Sequence, residues 1–490
     1  MKTTAALRGR AVFALLLMVG FYLLALGLAG ALLSVPVLEW SAGRVHLRLD
    51  LFALIAGVTI LWAIFPRRER FEAPGPRLRA AEHPQLFEEI ERVARATGQR
   101  APDEVYLVPD VNAWVTERSA PFGLRRVRVM GLGLALMRLL NVSEFRAVLA
   151  HEFGHYHGGD TRLGVWLFGA RVSMGRTVKS LSAQSSWLHL PFLWYGNAFL
   201  RVTHALSRQQ EFVADALAAR TVSPAALGEG LKRVHGGGLA FDGYWSSELA
   251  PALKSGVHPP IADGFARFLR VPALAAVLEE RVAQAVQGGQ TDPLDTHPPL
   301  HERLAAIAPI PPGEASVDDR DALSLLTHPL QVERALLRHL AGTDADALEG
   351  AAWEDVGERV YRPLWARVVH DHAAALAPLT ARRLPALLSN PAALNDLAVA
   401  LGVPEGEERP GRVRWILAAG VGGVLAGAGA AVTSLPGEPV RLEAAGWSFD
   451  PHAFVAACLQ GEAAAGPYLA ELQAAGVADT SLAADSPHES

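Results

Sequence analysis

The chain has 490 residues, which is too long for a single compact core and predicts two to four folded units. Half of the residues are apolar, a balance that favours membrane segments. The formal net charge of −5 is small and lacks the basic character of nucleic-acid-binding domains, so no nucleic-acid partner is expected. The single cysteine, Cys458, excludes an intramolecular disulfide and is interpreted as a small buried side chain.

Two apolar runs open the chain. Residues 11–33 are uncharged and would form a helix about 34 Å long, enough to cross a hydrocarbon core of about 30 Å. A cleaved signal peptide is the alternative, but its apolar region would be shorter, about 7–15 residues. The second run covers residues 51–65, and Leu47 with Leu49 can extend it.

Basic residues flank the outer ends of both runs, before residue 11 and after residue 65. The positive-inside rule therefore places both ends in the cytoplasm and the loop of residues 34–50 outside. The sequence predicts a multi-pass cell-membrane protein with two spans in the lipid bilayer and with the following domain in the cytoplasm.

The next segment predicts a helix and two strands. Residues 83–97 have the apolar spacing of an amphipathic helix, and residues 105–108 are typical of a short strand. Residues 125–130 alternate arginine and valine, which predicts a half-exposed strand.

The segment His151-Glu152-Phe153-Gly154-His155 carries the clearest chemical signal. Two histidines four residues apart lie one turn apart on one face of a helix and can share a metal ion. Glu152 can take a proton from a metal-bound water without being a ligand.

The ends of this helix are also predicted. Asn141 is a good N-cap, and Glu144 stands three residues later, as in a capping box. Gly158 and Gly159 are predicted to end the helix.

A zinc site with an open position needs a third protein ligand. The extended pattern with a third histidine is disfavoured because position 161 is Thr161, and His157 points elsewhere on the helix. Glu211 is the better candidate, in an otherwise apolar helical pattern. Asp215, one turn further, could accept the free N–H of a ligating histidine.

Taken together, four stretches resemble the M48 family of membrane-associated zinc metalloproteases. They are residues 111–114, residues 147–155 with Asp160, residues 211–215, and residues 296–304, which contain His297-Pro298-Pro299 and Arg303. They span about half of the chain, and their joint order is more specific than any one of them.

The resemblance implies a zinc endopeptidase that hydrolyses protein or peptide substrates with one Zn²⁺ per chain. His151, His155 and Glu211 would hold the metal, with Asp215 behind them and Glu152 as the general base. His297 would sit near the metal, and Arg303 would steady the oxyanion or the substrate backbone. The alternative, which carries more weight for Arg303 than for His297, is a loop followed by a helix N-terminus.

Substrate binding is also implied by the resemblance. Asn112 and Ala113 match a family motif beside a strand that pairs with extended substrate, and the alternative for Asn112 is an ordinary turn residue. The other His-Pro-Pro tripeptide, at 258–260, is interpreted as structural.

Two further stretches raise the question of membrane entry. Residues 161–206 are rich in aromatic residues but broken by charges, which favours protein-buried or interfacial helices over spans. Residues 413–432 are rich in glycine and alanine, which favours a buried helix over a third span.

The predicted architecture is mainly α with a small β-sheet, of the α+β class, with a zincin-like catalytic domain. Its parts are residues 1–70 as two transmembrane helices with a short loop, 71–310 as the M48-like peptidase domain, 311–410 as a helical extension and 411–490 as a small C-terminal module.

Two other functions remain open at this point. The first is a membrane-anchored assembly or binding factor whose zinc site is structural, with His297 as a fourth ligand. The second is a narrow processing enzyme for lipidated C-termini, but that branch of the family has more spans than this sequence offers.

Overall fold

The structure is a computed structural model of the whole chain. It describes residues 2–65, 71–119, 126–156, 161–183, 187–288, 297–311, 313, 317–444 and 446–484. His157, the glycine pair at 158–159 and Asp160 lie outside these residues. The described chain is mainly helical with small sheets, as predicted.

Two long apolar helices form the N-terminal part, α1 (Lys2–Ser41) and α2 (Leu47–Ile64). Within the described residues they are the two helices long and apolar enough to cross a membrane, with the candidate span in α1 running over Val12–Ser41. Large apolar side chains face outward along both helices, among them Leu16, Leu23 and Trp62.

The connection between α1 and α2 is shorter than predicted. Only residues 42–46 separate the helices, whereas a loop over 34–50 was expected. Pro36 is accommodated inside α1, and the Ser34 hydroxyl donates to the Ala31 carbonyl over 2.7 Å. The helix therefore continues eight residues beyond the predicted span of residues 11–33, because an apolar helix can accommodate an internal proline.

The sheet beside the predicted metal helix has four strands in the order β1-β2-β4-β3. Their bounds are β1 (Arg77–Leu78), β2 (Glu104–Val108), β3 (Ala113–Ser119) and β4 (Arg126–Gly133), with α3 (Pro84–Ala96) between β1 and β2. β2 runs parallel to β4, and β3 pairs antiparallel to β4 with Ala113 opposite Leu132. β3 is thus an edge strand.

After the short helix α4 (Leu134–Leu139), the helix α5 (Val142–Gly154) carries the His-Glu motif. Its capping box is present as predicted, because the Asn141 side chain accepts from the Glu144 amide and the Glu144 carboxylate accepts from the Asn141 amide. Regular helix ends at Gly154, and His155 follows as the C-cap in helical geometry. The Cα of Gly154 lies so close to Ala214 that a Cβ there would meet backbone at 2.7 Å.

The helices α6 (Thr161–Ser182) and α7 (His189–Thr221) connect the N-terminal pair to the rest of the chain. The first half of α7 packs against α1, where the Tyr195 hydroxyl donates to the Leu17 carbonyl over 2.7 Å and the Phe192 ring meets Phe21 edge-on. The second half of α7 packs against α5. One continuous helix therefore links the two apolar helices to the His-Glu motif.

The next elements pack around the His-Glu motif of α5 and complete a large apolar cluster that runs from Leu78 to Val360. They are α8 (Pro224–Tyr244), α9 (Ala250–Lys254), β5 (Val257–His258), α10 (Ile261–Arg270), α11 (Pro272–Gln287), α12 (Leu300–Ile307), α13 (Pro329–Ala341) and β6 (Glu349–Gly350). His258 lies in the β5–β6 pair, in agreement with its structural interpretation.

A second apolar cluster runs from Trp365 to Leu482. Its elements are α14 (Arg362–Asp371), α15 (Ala373–Leu376), α16 (Leu384–Leu388), α17 (Pro391–Ala400), α18 (Arg409–Gly427), β7 (Ala431–Thr433), β8 (Arg441–Ala444), β9 (Trp447–Phe449), α19 (Pro451–Gln460) and α20 (Glu462–Ala474). The Gly- and Ala-rich α18 is buried at the centre, as expected, and Cys458 is fully buried beside it.

Candidate metal centre

Three side chains from two helices converge beside the sheet. His151 and His155 project from the end of α5 with ring centroids 4.9 Å apart. Glu211 reaches them from α7: its Oε2 lies 3.5 Å from the Nε2 atom of His151, and its Oε1 lies 3.6 Å from the Nε2 atom of His155. The structure thus brings together the two histidines and the distant carboxylate that the sequence analysis selected.

These distances fit a shared cation. Four ligands at about 2.0–2.1 Å from a zinc ion in tetrahedral geometry lie about 3.4 Å from one another. The Glu211 side chain is buried, and its Oε2 atom makes no hydrogen bond of ordinary geometry. A buried carboxylate oxygen left without such a bond is costly, and a cation between the three groups would satisfy it.

Asp215 lies behind the histidine pair, one turn after Glu211 on α7. It is fully buried, and its Oδ1 atom is 2.9 Å from the Nδ1 atom of His151. A carboxylate at Nδ1 holds the proton on that nitrogen and leaves the Nε2 lone pair free to bind a metal.

Arg303, from α12, holds Asp215 in turn. Its Nε donates to Oδ2 over 2.8 Å and its Nη2 to Oδ1 over 2.7 Å. The same Nη2 atom lies 3.6 Å from Glu211 Oε2. Burial raises the pKa of Asp215, but the bonds from Arg303 and His151 outweigh it, so the net pKa is lowered and the carboxylate stays ionised.

The electrostatics differ sharply between the two histidines. Burial lowers the pKa of His151, yet the neighbouring carboxylates of Asp215 and Glu211 raise it overall to about 9. Burial and the neighbouring His151 charge lower the pKa of His155 to about 4, so it is neutral at physiological pH. Burial raises the pKa of Glu211, but the neighbouring His151 and His297 rings and the Arg303 charge outweigh it and lower the pKa overall.

Glu152 belongs to the same cluster, since its carboxylate and the two histidines offer ligand atoms within 4.8 Å of one another. Burial raises its pKa to about 7, more than the nearby His151 charge lowers it. A carboxylate with a pKa near the working pH can both accept and return a proton.

His297 stands at the mouth of the site. Its Nδ1 atom lies 3.1 Å from Glu211 Oε2, while its side chain is 59% exposed. It therefore lies beside Glu211 and faces solvent.

A cleft of about 440 Å³ opens beside these groups. Asn112 and Ala113 line it together with His151 and Glu152, so both residues predicted to contact substrate lie at the cleft. Much of the remaining wall is apolar and comes in part from α8, which the sequence analysis did not connect with the site: Leu136, Val148, Leu227, Leu231, Val234 and Leu300. Residues from elements so far apart in the chain give no local pattern that could have revealed them.

Tyr156 was also missed, although it directly follows the second histidine. Its hydroxyl donates to the Val115 carbonyl of β3 over 2.9 Å. The position after the motif carries no signal of its own, because the contact depends on how α5 meets the sheet.

A pair of helices bringing two histidines and a glutamate to one point, beside an edge strand, defines a metallopeptidase-like site. The comparison with known families agrees, since residues 80–310 match the model described as peptidase family M48. The matched region covers slightly less than half of the chain, so this part of the protein is similar to peptidase family M48.

Known relatives extend the similarity. The chain is 27% identical over 278 residues to a protein named Protease HtpX homolog of Tropheryma whipplei (strain Twist), covering 53% of this chain and 84% of that protein. A Protease HtpX homolog of Aeropyrum pernix is 26% identical over 323 residues, covering 59% of this chain and 93% of the relative. Protease HtpX of Thioalkalivibrio sulfidiphilus is 25% identical over 245 residues, covering 45% of this chain and 70% of the relative. No solved structure gives a significant match.

Proposed function

We propose that this protein is a membrane-anchored, zinc-dependent endopeptidase. The match to the M48 family model and the similarity to proteins named as HtpX proteases support a membrane-anchored metalloprotease. The finer assignments are inferences from this chain: zinc as the metal, the role of each residue, the domain limits and the orientation in the membrane.

The observation that carries the proposal is the position of Glu211. Its two oxygens lie 3.5 Å and 3.6 Å from the Nε2 atoms of His151 and His155, although Glu211 lies 56 positions after His155 in the chain. Two imidazoles and one carboxylate form a donor set that suits zinc and leaves one position for water or substrate.

We assign the residues as follows. A zinc ion held by His151, His155 and Glu211 would polarise the scissile carbonyl and make the attacking water more acidic. Glu152 accepts the proton of that water and delivers it to the leaving amine. Asp215 orients His151 through its Nδ1–H group.

His297 and Arg303 are the remaining polar residues of the site, and they lie in different places. His297, at the mouth, is placed to donate towards the oxygen on which charge develops. Arg303 makes both of its short bonds to Asp215, so we assign it the positioning of Asp215, with substrate contact as a further possibility through its place in the cleft wall.

Substrate would bind between β3 and the cleft. The edge of β3 offers backbone groups to an extended chain, which favours affinity without strong sequence selection. The apolar wall from α8 suits an apolar side chain beside the scissile bond.

The site lies close to the membrane part of the chain. Phe199 lies on α7 and is buried in the apolar cluster that includes residues of α1 and α2. It is 12 residues from Glu211, about 18 Å along the helix axis. We infer that membrane proteins, or misfolded proteins at the membrane, are the substrates, and that the peptidase part faces the cytoplasm.

A structural zinc site is disfavoured. Such a site is closed by four protein ligands, whereas His155 is 32% exposed and His297 is 59% exposed, and a cleft opens beside them. The family and its relatives likewise favour the peptidase.

The direct test is cleavage of casein by the purified protein in detergent. We expect cleavage that a chelator stops and that added zinc restores. Cleavage that continues at full rate after the metal has been removed would contradict the proposal. Physiological substrates should then accumulate in membranes that carry a Glu152→Gln variant, and comparing the membrane proteomes would identify them.

A further inference from the structure

The outer edge of β3 is where an extended substrate could join the sheet. In the described sheet, β3 has β4 on one side and no strand on the other. The Gly133 amide donates to the Asn112 carbonyl over 2.8 Å, so these two opposed residues form a hydrogen-bonded pair. Because such pairs alternate along an antiparallel ladder, the even-numbered residues of β3 turn their backbone groups to β4. The odd-numbered residues, from Ala113 to Glu117, turn theirs outward.

Tyr156 already uses one of these outward groups. Its hydroxyl donates to the Val115 carbonyl over 2.9 Å. Ala113, the previous outward residue, lines the cleft beside His151 and Glu152, and Val115 is not part of that lining. The edge is therefore open next to the metal site and closed two residues further along.

The position of Tyr156 is built by further contacts. The guanidinium group of Arg128, on β4, lies 4.4 Å from the centre of the tyrosine ring. Arg128 is buried and is fixed by bonds to the Glu117 carboxylate over 3.1 Å and to the Arg100 carbonyl over 2.7 Å. A cation held over the ring in this way favours one ring orientation and keeps the hydroxyl at the edge of the strand.

We propose that Tyr156 terminates the substrate-pairing edge, so that a bound chain pairs its backbone with Ala113 and leaves the sheet before Val115. The proposal rests on the function proposed above and adds a limit to it. On the side of the scissile bond that runs towards Val115, only a short segment of the substrate backbone then pairs with β3 and contributes to affinity. Proteins that present a short extended stretch, such as a loop or a frayed end, would then be cleaved as well as long unfolded segments.

The test is a series of peptides that share one scissile bond and are lengthened one residue at a time at either end. For the wild-type protein, kcat/KM should rise with the first residues added at one end of the peptide and then reach a plateau, so that further residues at that end have no effect. Tyr156→Phe removes the hydroxyl, and Tyr156→Ala also removes the ring. In at least one of the two variants the plateau should move outward by two residues, since every second residue offers a backbone group to the edge. The longest peptides should gain about 2- to 10-fold in kcat/KM, mainly through a lower KM, the effect of about one hydrogen bond.

Tyr106→Phe is the matched control. The Tyr106 hydroxyl also makes one hydrogen bond, to Glu104 over 3.2 Å, but it lies on β2 and away from the edge. This variant should keep the wild-type dependence on length.

Two results would overturn the proposal: a plateau that stays in place in both Tyr156 variants, or an equal loss of kcat at every peptide length, which indicates a purely structural role. If the wild type cleaves no peptide of the series while casein is cleaved, edge pairing itself is wrong. If neither is cleaved, the proposed function fails and this inference with it.

Discussion

Arg303 and Asp215 form a two-bond ion pair directly behind the candidate metal centre. Both carboxylate oxygens of Asp215 are bonded, over 2.7 and 2.8 Å, and Asp215 is fully buried while the Arg303 side chain is 11% exposed. The pair links α12 to α7 next to His151. This ion pair explains how α12, which follows His297-Pro298-Pro299 and is distant in sequence from α5 and α7, supports the candidate metal centre.

Removing one partner of the Arg303–Asp215 pair should lower the stability of the fold more than removing both charges. Arg303→Met removes two of the bonds to the buried Asp215 carboxylate and leaves it only the bond to His151, so we expect the free energy of unfolding to fall by about 3–5 kcal/mol. The double variant Asp215→Asn/Arg303→Met should recover part of this loss. Thermal melting in detergent measures the stability of both single variants and of the double variant. If the double variant loses as much stability as the single variants Arg303→Met and Asp215→Asn lose together, the pair is not coupled.

Glu211→Ala should lower the affinity for zinc while the protein stays folded. The site would keep only the two histidines of α5, and two ligands hold zinc weakly. Metal content after dialysis against a defined zinc buffer measures the effect, with Glu229→Ala, an exposed glutamate on α8, as the control. Unchanged zinc content in the Glu211 variant would remove this residue from the site.

Glu333 predicts a pH-dependent stability that is independent of the metal. Its carboxylate on α13 accepts from the Ile261 and Ala262 amides at the start of α10. Burial raises its pKa from 4.5 to about 7, more than these bonds lower it. The folded state therefore binds a proton more tightly than the unfolded chain. The resulting stability is complete below pH 4.5 and is lost as the pH rises to about 7.

Glu333→Gln removes this dependence. Relative to wild type, the variant should gain stability between pH 5 and pH 8, by about 3 kcal/mol at most. Melting temperatures of both proteins at several pH values measure the difference, with Glu229→Gln as the exposed control. A difference that stays constant across this range would contradict the assignment.

The proposed orientation can be tested with single cysteines. In a Cys458→Ser background, Val45→Cys places a thiol in the connection between α1 and α2, and Val317→Cys places one on the peptidase side. Both valines are exposed, by 63% and 80%. A membrane-impermeant maleimide should label position 45 in intact cells and position 317 only after permeabilisation. The reverse pattern would invert the topology.

The features predicted well from sequence are those fixed by local chemistry. The capping box at Asn141 and Glu144 is satisfied within one turn of helix, and the His-Glu spacing follows from helical periodicity. Helix α3 likewise spans residues 84–96, close to the predicted 83–97.

The features that were missed depend on tertiary packing. Pro36 marks a helix end in most soluble contexts, yet α1 continues through it to Ser41. The contact of Tyr156 with Val115 and the apolar wall from α8 join parts of the chain 41 or more residues apart. Glu211 was selected as third ligand from its helical pattern downstream of the His-Glu motif, and the family resemblance implied the same role. Its distance from the histidines depends on how α7 packs against α5, which no local pattern predicts.

The measurement that tests the central claim most directly combines two assays on purified Glu152→Gln protein. Glutamine has nearly the same shape but cannot accept the proton of the attacking water. We predict about one bound zinc per chain, as in the wild type, together with a loss of casein cleavage of at least about 100-fold. Full proteolytic activity in this variant, or loss of the zinc along with the activity, would contradict the assignment of Glu152 as the base of a zinc peptidase.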